Sequence, residues 1–121
     1  MIKPIMKSEF FLRLPSEDAG PDDAATGQDL LDTLLEHEHE CVGLAANMIG
    51  VRKRIICVKD GNRALLMYNP QILEQVNAYQ TSEGCLSLIG ERPCTRYRRI
   101  KVEYLDENFV HRIKNFSGYT A

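Results

Sequence analysis

Apolar positions along this chain change their period once, and the change divides it into two structural halves. Leu30, Leu31, Leu34 and Leu35 recur at helical spacing, which predicts an amphipathic helix with a single leucine face. Thr26 or Asp23 stands where the first helical turn requires a capping acceptor. The helix runs out in the polar stretch "EHEHE", and Gly43 with the small residues after it predicts a break where backbones approach closely. Ahead of the helix, Pro4, Pro15, Pro21 and the polar stretch "SEDAGPDD" keep residues 1–25 irregular. Behind it the pattern becomes that of strands. "RIICVKD" (54–60) and "ALLMYNP" (64–70) are β-rich runs on either side of Gly61-Asn62, a hairpin signal, and Asn69-Pro70 is expected to end the second run. From Arg99 onward Ile100, Val102 and Tyr104 alternate with Lys101 and Glu103; Asp106-Glu107-Asn108 reads as a turn, and "FVHRIKNFSG" as a returning strand. The class is α+β: one long helix in the N-terminal half and mostly antiparallel sheets, in a single domain over residues 1–121.

Composition narrows the function classes. A chain of 121 residues supports one core, and its net charge of -2 gives no case for nucleic acid or an anionic membrane. The basic groups Arg52-Lys53-Arg54 and Arg96, Arg98, Arg99, Lys101 read as solvated strand edges. No apolar run reaches the ~18 residues of a membrane span, and the N-terminus lacks an apolar signal region, so a cytoplasmic location is expected. Cys41, Cys57, Cys85 and Cys94 form no CxxC pair, and reduced thiols are the expectation.

The cluster His37-Glu38-His39-Glu40-Cys41 looks like a metallohydrolase motif with its last histidine replaced. On a helix His37 and Cys41 would share a face, while His39 points away; two ligands leave a Zn²⁺ or Fe²⁺ site short. The cluster therefore reads as the polar end of the helix, where histidines suit the negative dipole terminus.

Two further segments carry the chemistry: "GLAANMIG" (43–50) and, after the first two predicted strands, "EGCLS" (83–87). With Asn69-Pro70, Arg96 ahead of "IKVEYLD", and "FSGYTA" at the end, this order resembles the peptide deformylases, metallohydrolases that remove the N-formyl group from the initiating methionine of new polypeptides. The resemblance implies a deformylase-like fold, with Cys85 as a thiolate ligand for Fe²⁺, Zn²⁺ or Ni²⁺. It makes the N–H of Leu86 a donor to the oxygen that becomes negative as the formyl carbon is attacked. It also implies that Val42, Gly43 and Leu44 line the methionine pocket and pair with peptide backbone, that Glu83 and Gly84 border the substrate, and that Arg96 positions substrate or loop. The partner so implied is a formyl-methionyl peptide, met near the ribosome.

The chain departs from the family pattern at three points, the first of them minor. Cys41 stands at the first glycine of GxGLAAxQ, and Met48, which has no donor, at the catalytic glutamine; Asn47 is its neighbour. The third signature, a C-terminal HExxH helix bringing two metal ligands and the catalytic glutamate, is absent from these residues. His111, solitary on a predicted strand, does not replace it. The expectation is a C-terminally truncated, inactive domain with no bound metal. A vacated apolar groove lined by Leu44, Ile49, Leu86 and the Ile100/Val102 face would favour self-association or uptake of an apolar partner. Two functions follow: hydrolysis by the complete deformylase, or a non-catalytic module that keeps the peptide groove and binds formyl-peptide or protein.

Overall fold

A computed structural model describes residues 1–39, 41–84 and 91–120. The leucine period forms helix α2, Ala24–Glu36, preceded by the single turn α1, Glu9–Leu12. Neither proposed side-chain cap is used. Asp23 occupies the N-cap of α2 without a capping bond, because its carboxylate instead accepts from the Gly20 N–H at 2.9 Å and closes the turn before the helix. Leu30 and Leu34 are buried, whereas Leu35 turns outward and is 46% exposed.

Five strands follow: β1 (Gly43–Ala45), β2 (Ile55–Asp60), β3 (Arg63–Gly84), β4 (Glu91–Leu105) and β5 (His111–Ser117). Among the described residues they pair antiparallel in the order β1-β2-β3-β4-β5, which with α2 gives the α+β, antiparallel architecture expected. The Gly61-Asn62 hairpin joins β2 to β3, with Asp60 opposite Arg63 and Gly61 at φ 63°. The turn after β4 is held by Asp106, whose Oδ1 accepts the N–H groups of Asn108 and Val110.

Asn69-Pro70 does not end its strand. Instead, β3 continues to Gly84 through two register shifts. From Tyr68↔Leu105 to Gln71↔Glu103, β3 advances three residues against two, and from Ile72↔Val102 to Glu74↔Lys101 two against one. Asn69, at φ 53°, takes the left-handed conformation in the first bulge, next to a proline that has no N–H to offer the ladder. Its amide is also the anchor of the N-terminal segment. Oδ1 accepts from Ala19 N at 2.7 Å and Nδ2 donates to Ala19 O at 2.9 Å. The Arg52-Lys53-Arg54 group works on the same segment: Arg52 donates to Pro15 O, Lys53 pairs with Glu17, and Arg54 with Asp18.

The sheet has two unlike faces. One is covered by α2 and carries a core of Leu30, Leu34, Leu44, Ile55, Cys57 and Tyr68. The other gathers Met67, Val102, Tyr104 and Phe116, with Ile56 and Ile100 packed beside them. No helix of the described residues is long and apolar enough to cross a membrane.

Candidate functional site: the open face of the sheet

The face opposite α2 holds an apolar cavity of about 270 Å³ between Ile56, Val58, Met67, Ile100, Val102 and Phe116. Period-two alternation delivers these side chains from four strands to one side. Thr120 stands at its rim, where its hydroxyl donates to Asp60 Oδ1 and Lys114 donates to Asp60 Oδ2. The Ile100/Val102 face lines the groove as expected; Leu44 and Ile49 do not. Both belong to the core under α2, with Leu44 only 3% exposed, because the side chains on either side of Leu44 in β1 point the other way. Leu86 lies outside the described residues.

Strand β1 forms one edge of the sheet. Lys59 N donates to Val42 O at 2.8 Å, and Leu44 lies opposite Cys57 in the same register. In an antiparallel ladder this directs the backbone groups of Gly43 and Ala45 away from β2, to the free edge. Gly43 and Ala45 also lie opposite Val58 and Ile56, so they belong to the groove face. A Cβ on Gly43 would come 3.4 Å from Cys57 O, a close but ordinary contact. Val42, just before the strand, is 42% exposed.

Sulfur occupies that free edge at two points. Cys41 Sγ donates to Gly43 O at 2.8 Å, and Ala45 N donates to Met48 Sδ at 3.4 Å. These are two of the positions where the chain departs from GxGLAAxQ. Asn47 does not stand in for the missing glutamine amide, since its Nδ2 donates to Leu12 O at 3.1 Å and ties the 3-10 turn Ala46–Ile49 to the N-terminal segment.

Beyond Ile100 the β3–β4 ladder continues as a two-stranded ribbon. Alternation places Arg98, Arg96 and Cys94 on the groove side of β4, and Tyr79 and Glu83 on that of β3. Arg98 lies over the Tyr79 ring at 5.4 Å. Near the tip, the Glu83 carboxylate bridges two partners: Oε1 accepts from Arg96 Nη1 at 3.0 Å and Oε2 from Cys94 Sγ at 2.8 Å. That hydrogen bond, ahead of burial, holds the Cys94 thiol above its usual pKa, so it keeps its proton at neutral pH. The ladder pairs Gly84 with Glu91 at its end; Cys85, the expected ligand, lies outside the described residues.

Among the described residues no three of His, Cys, Asp and Glu converge as a metal site. His37 caps the C-terminus of α2, which ends at Glu36, so the helical spacing that would pair it with Cys41 does not exist. His111 is exposed on β5 and pairs with Glu103. Cys94 is the residue that sequence reasoning passed over. Its signal was weak, a cysteine two positions before Arg96, and only the strand register brings it to Glu83.

Cys57, fully buried under α2, has its thiol pushed up to about 12 by burial first and by Cys41 second. The folded state therefore holds a proton that the unfolded chain gives up near pH 9. Stability from this group is complete below pH 9 and is lost as pH rises toward 12. Chemical denaturation at pH 8, 10 and 11 should show a falling midpoint, and Cys57→Ala should flatten that slope. An equal fall in both proteins excludes Cys57 as its source.

The sequence profile described as polypeptide deformylase matches residues 4–121. The chain is 50% identical to "Peptide deformylase" of Clostridium beijerinckii over 121 residues, 100% of this chain and 89% of that protein. It is 36% identical to "Peptide deformylase 1" of Clostridium perfringens over 97 residues, 78% of this chain but 65% of that protein. In structure it superposes on the Met-Ala-Ser-bound class I type b peptide deformylase of Acinetobacter baumannii with TM-score 0.88 at 26% identity, over 100% of this chain and 88% of that one.

Proposed function

Because this chain belongs to the peptide deformylase family, we propose that its open face receives a formyl-methionyl peptide and serves removal of the N-formyl group in the cytoplasm, close to the ribosome where such peptides emerge. The observation that carries this reading is the shared face. The GLAA strand and the Glu83-Gly84 end of β3 border the same side of the sheet, with the apolar cavity on it. An extended peptide adds to the edge at Gly43, where its main chain takes over or shares the Gly43 O and Ala45 N–H now met by Cys41 and Met48, and its methionine side chain takes an apolar site. The N–H of Leu86 then meets the formyl oxygen as it gains charge. Arg96, through Glu83, steadies the strand that leads there. The groove also offers a surface for self-association.

The family implies a divalent metal. Cys85, a thiolate when coordinated, suits Fe²⁺, Zn²⁺ or Ni²⁺, yet a single thiolate falls short of the three protein ligands of a catalytic site. The described residues add no converging set, so they do not fit the complete metal site, and no step is derived through it.

A second reading, a peptide-binding module without catalysis, is favoured by one observation. Met48 has no donor, and the Asn47 amide is turned to Leu12 O on the N-terminal segment, with one of its two N–H groups engaged there. Formate release and calorimetric binding of formyl-Met-Ala, measured on metal-supplemented protein, separate the two. Release of formate establishes hydrolysis. Binding of the formylated peptide in preference to Met-Ala, without formate, establishes the module, and neither result removes both.

A further inference from the structure

We propose that Cys94 is a positioning residue, which clamps the Glu83 carboxylate from one side while Arg96 holds it from the other, and so sets the direction in which β3 enters the EGCLS segment. The proposal rests on the reading of that segment as functional.

The geometry is that of a three-part brace. In the ladder Glu83 stands opposite Arg92, and Cys94 opposite Thr81, so Cys94 is the diagonal neighbour of Glu83 on one face. Arg96, opposite Tyr79, lies a further pair of residues away. To reach Arg96 the Glu83 side chain must lean back along the ribbon, past Cys94. Both carboxylate oxygens are then used, Oε1 by the guanidinium at 3.0 Å and Oε2 by the thiol at 2.8 Å.

A carboxylate held by one donor can swing about it; held by two, on separate oxygens and from different residues, it has one orientation. The backbone of Glu83 and Gly84 is the last of β3 still paired to β4, opposite Arg92 and Glu91. The Glu83 side chain is thus held at the last described pairs of the ladder, two residues before Cys85 in sequence. Arg96 side-chain exposure is 17% and that of Glu83 36%, so the brace is sheltered enough to matter and open enough to exchange with water when a donor is lost.

Two substitutions and two readouts test this. Cys94→Ala removes the donor; Cys94→Ser keeps one of similar reach. Hydrogen exchange of the amides of residues 82–84, 91 and 92 should quicken ~10-fold in Cys94→Ala and return near the parent rate in Cys94→Ser, while amides of α2 stay unchanged. Unchanged exchange in Cys94→Ala, or equal acceleration in both variants, overturns the proposal. This arm needs neither metal nor turnover, so it decides the role of Cys94 even if no formate is released, a result that bears only on the hydrolytic reading. Where formate is released, Cys94→Ala should lower kcat several-fold with KM held and Cys94→Ser should restore it. A change in KM alone counts against positioning.

Discussion

Truncating Tyr68 to alanine is expected to lower the unfolding free energy by about 3–5 kcal/mol, the largest loss of any single side chain in this fold. Tyr68 is 1% exposed and lies in register between Ile55 on β2 and Leu105 on β4. Its ring stacks on Phe109 with centroids 4.2 Å apart, which secures the β4–β5 turn. Its other contact is with the helix. A Cβ built on Gly27 would fall 2.0 Å from Tyr68 Oη, so the ring end fills the space that a glycine in the second half-turn of α2 leaves open. Removing the ring thus opens a cavity at the junction of helix, sheet and turn at once. Urea denaturation is the measurement, and Tyr68→Phe, which keeps the stack, should recover most of the loss. A loss below about 1 kcal/mol for Tyr68→Ala would show that α2 can settle into the gap.

The second large effect is a gain. Met48→Gln is expected to raise formate release from formyl-Met-Ala by ~10²-fold or more over the parent chain in the same metal-supplemented assay, if hydrolysis is what this face performs. The thioether sulfur sits where the glutamine amide carbon would be, 3.4 Å from Ala45 N. In the substituted chain the amide oxygen can take over the Ala45 N–H, which leaves the NH₂ as the donor that Met48 lacks. If formyl-Met-Ala binds equally to both chains and neither releases formate, the binding-module reading stands.

How much of this was legible in the sequence depends on whether a residue answers to its neighbours along the chain or across it. The leucine spacing of α2, the Gly61-Asn62 hairpin, the Asp106 turn and the alternation of β4 are local, and each appears in the structure where the pattern placed it. Asn69-Pro70 misled for the converse reason. As a local signal it stops a strand, but ladder bonds to β4 beyond it and the Ala19 anchor outweigh that preference. The groove wall was misassigned at Leu44 because its side depends on which of its backbone groups bond β2, a register that one strand of three residues cannot reveal. The motifs were readable as text. The diagonal meeting of Glu83 with Cys94 was not, since it exists only once β3 and β4 are aligned.

The paired bulges of β3 bear on how such a strand can change over generations. Each adds one residue that β4 does not match, so the pairs on either side keep their faces: Met67, Ile72 and Glu83 all belong to the groove side, although strict alternation along β3 would have put Ile72 on the other. A single deletion at either bulge would remove the unmatched residue and leave the pairs beyond it, Tyr79↔Arg96 and Glu83↔Arg92 among them, in register and on the same face. Length at the two bulges is therefore free to change by one residue, whereas the same change in the regular ladder from Gln75 to Glu83 would slip Glu83 out of register with Cys94 and Arg96 unless it were matched on β4. Single-residue indels should therefore gather between Tyr68 and Glu74 and be rare between Gln75 and Glu83.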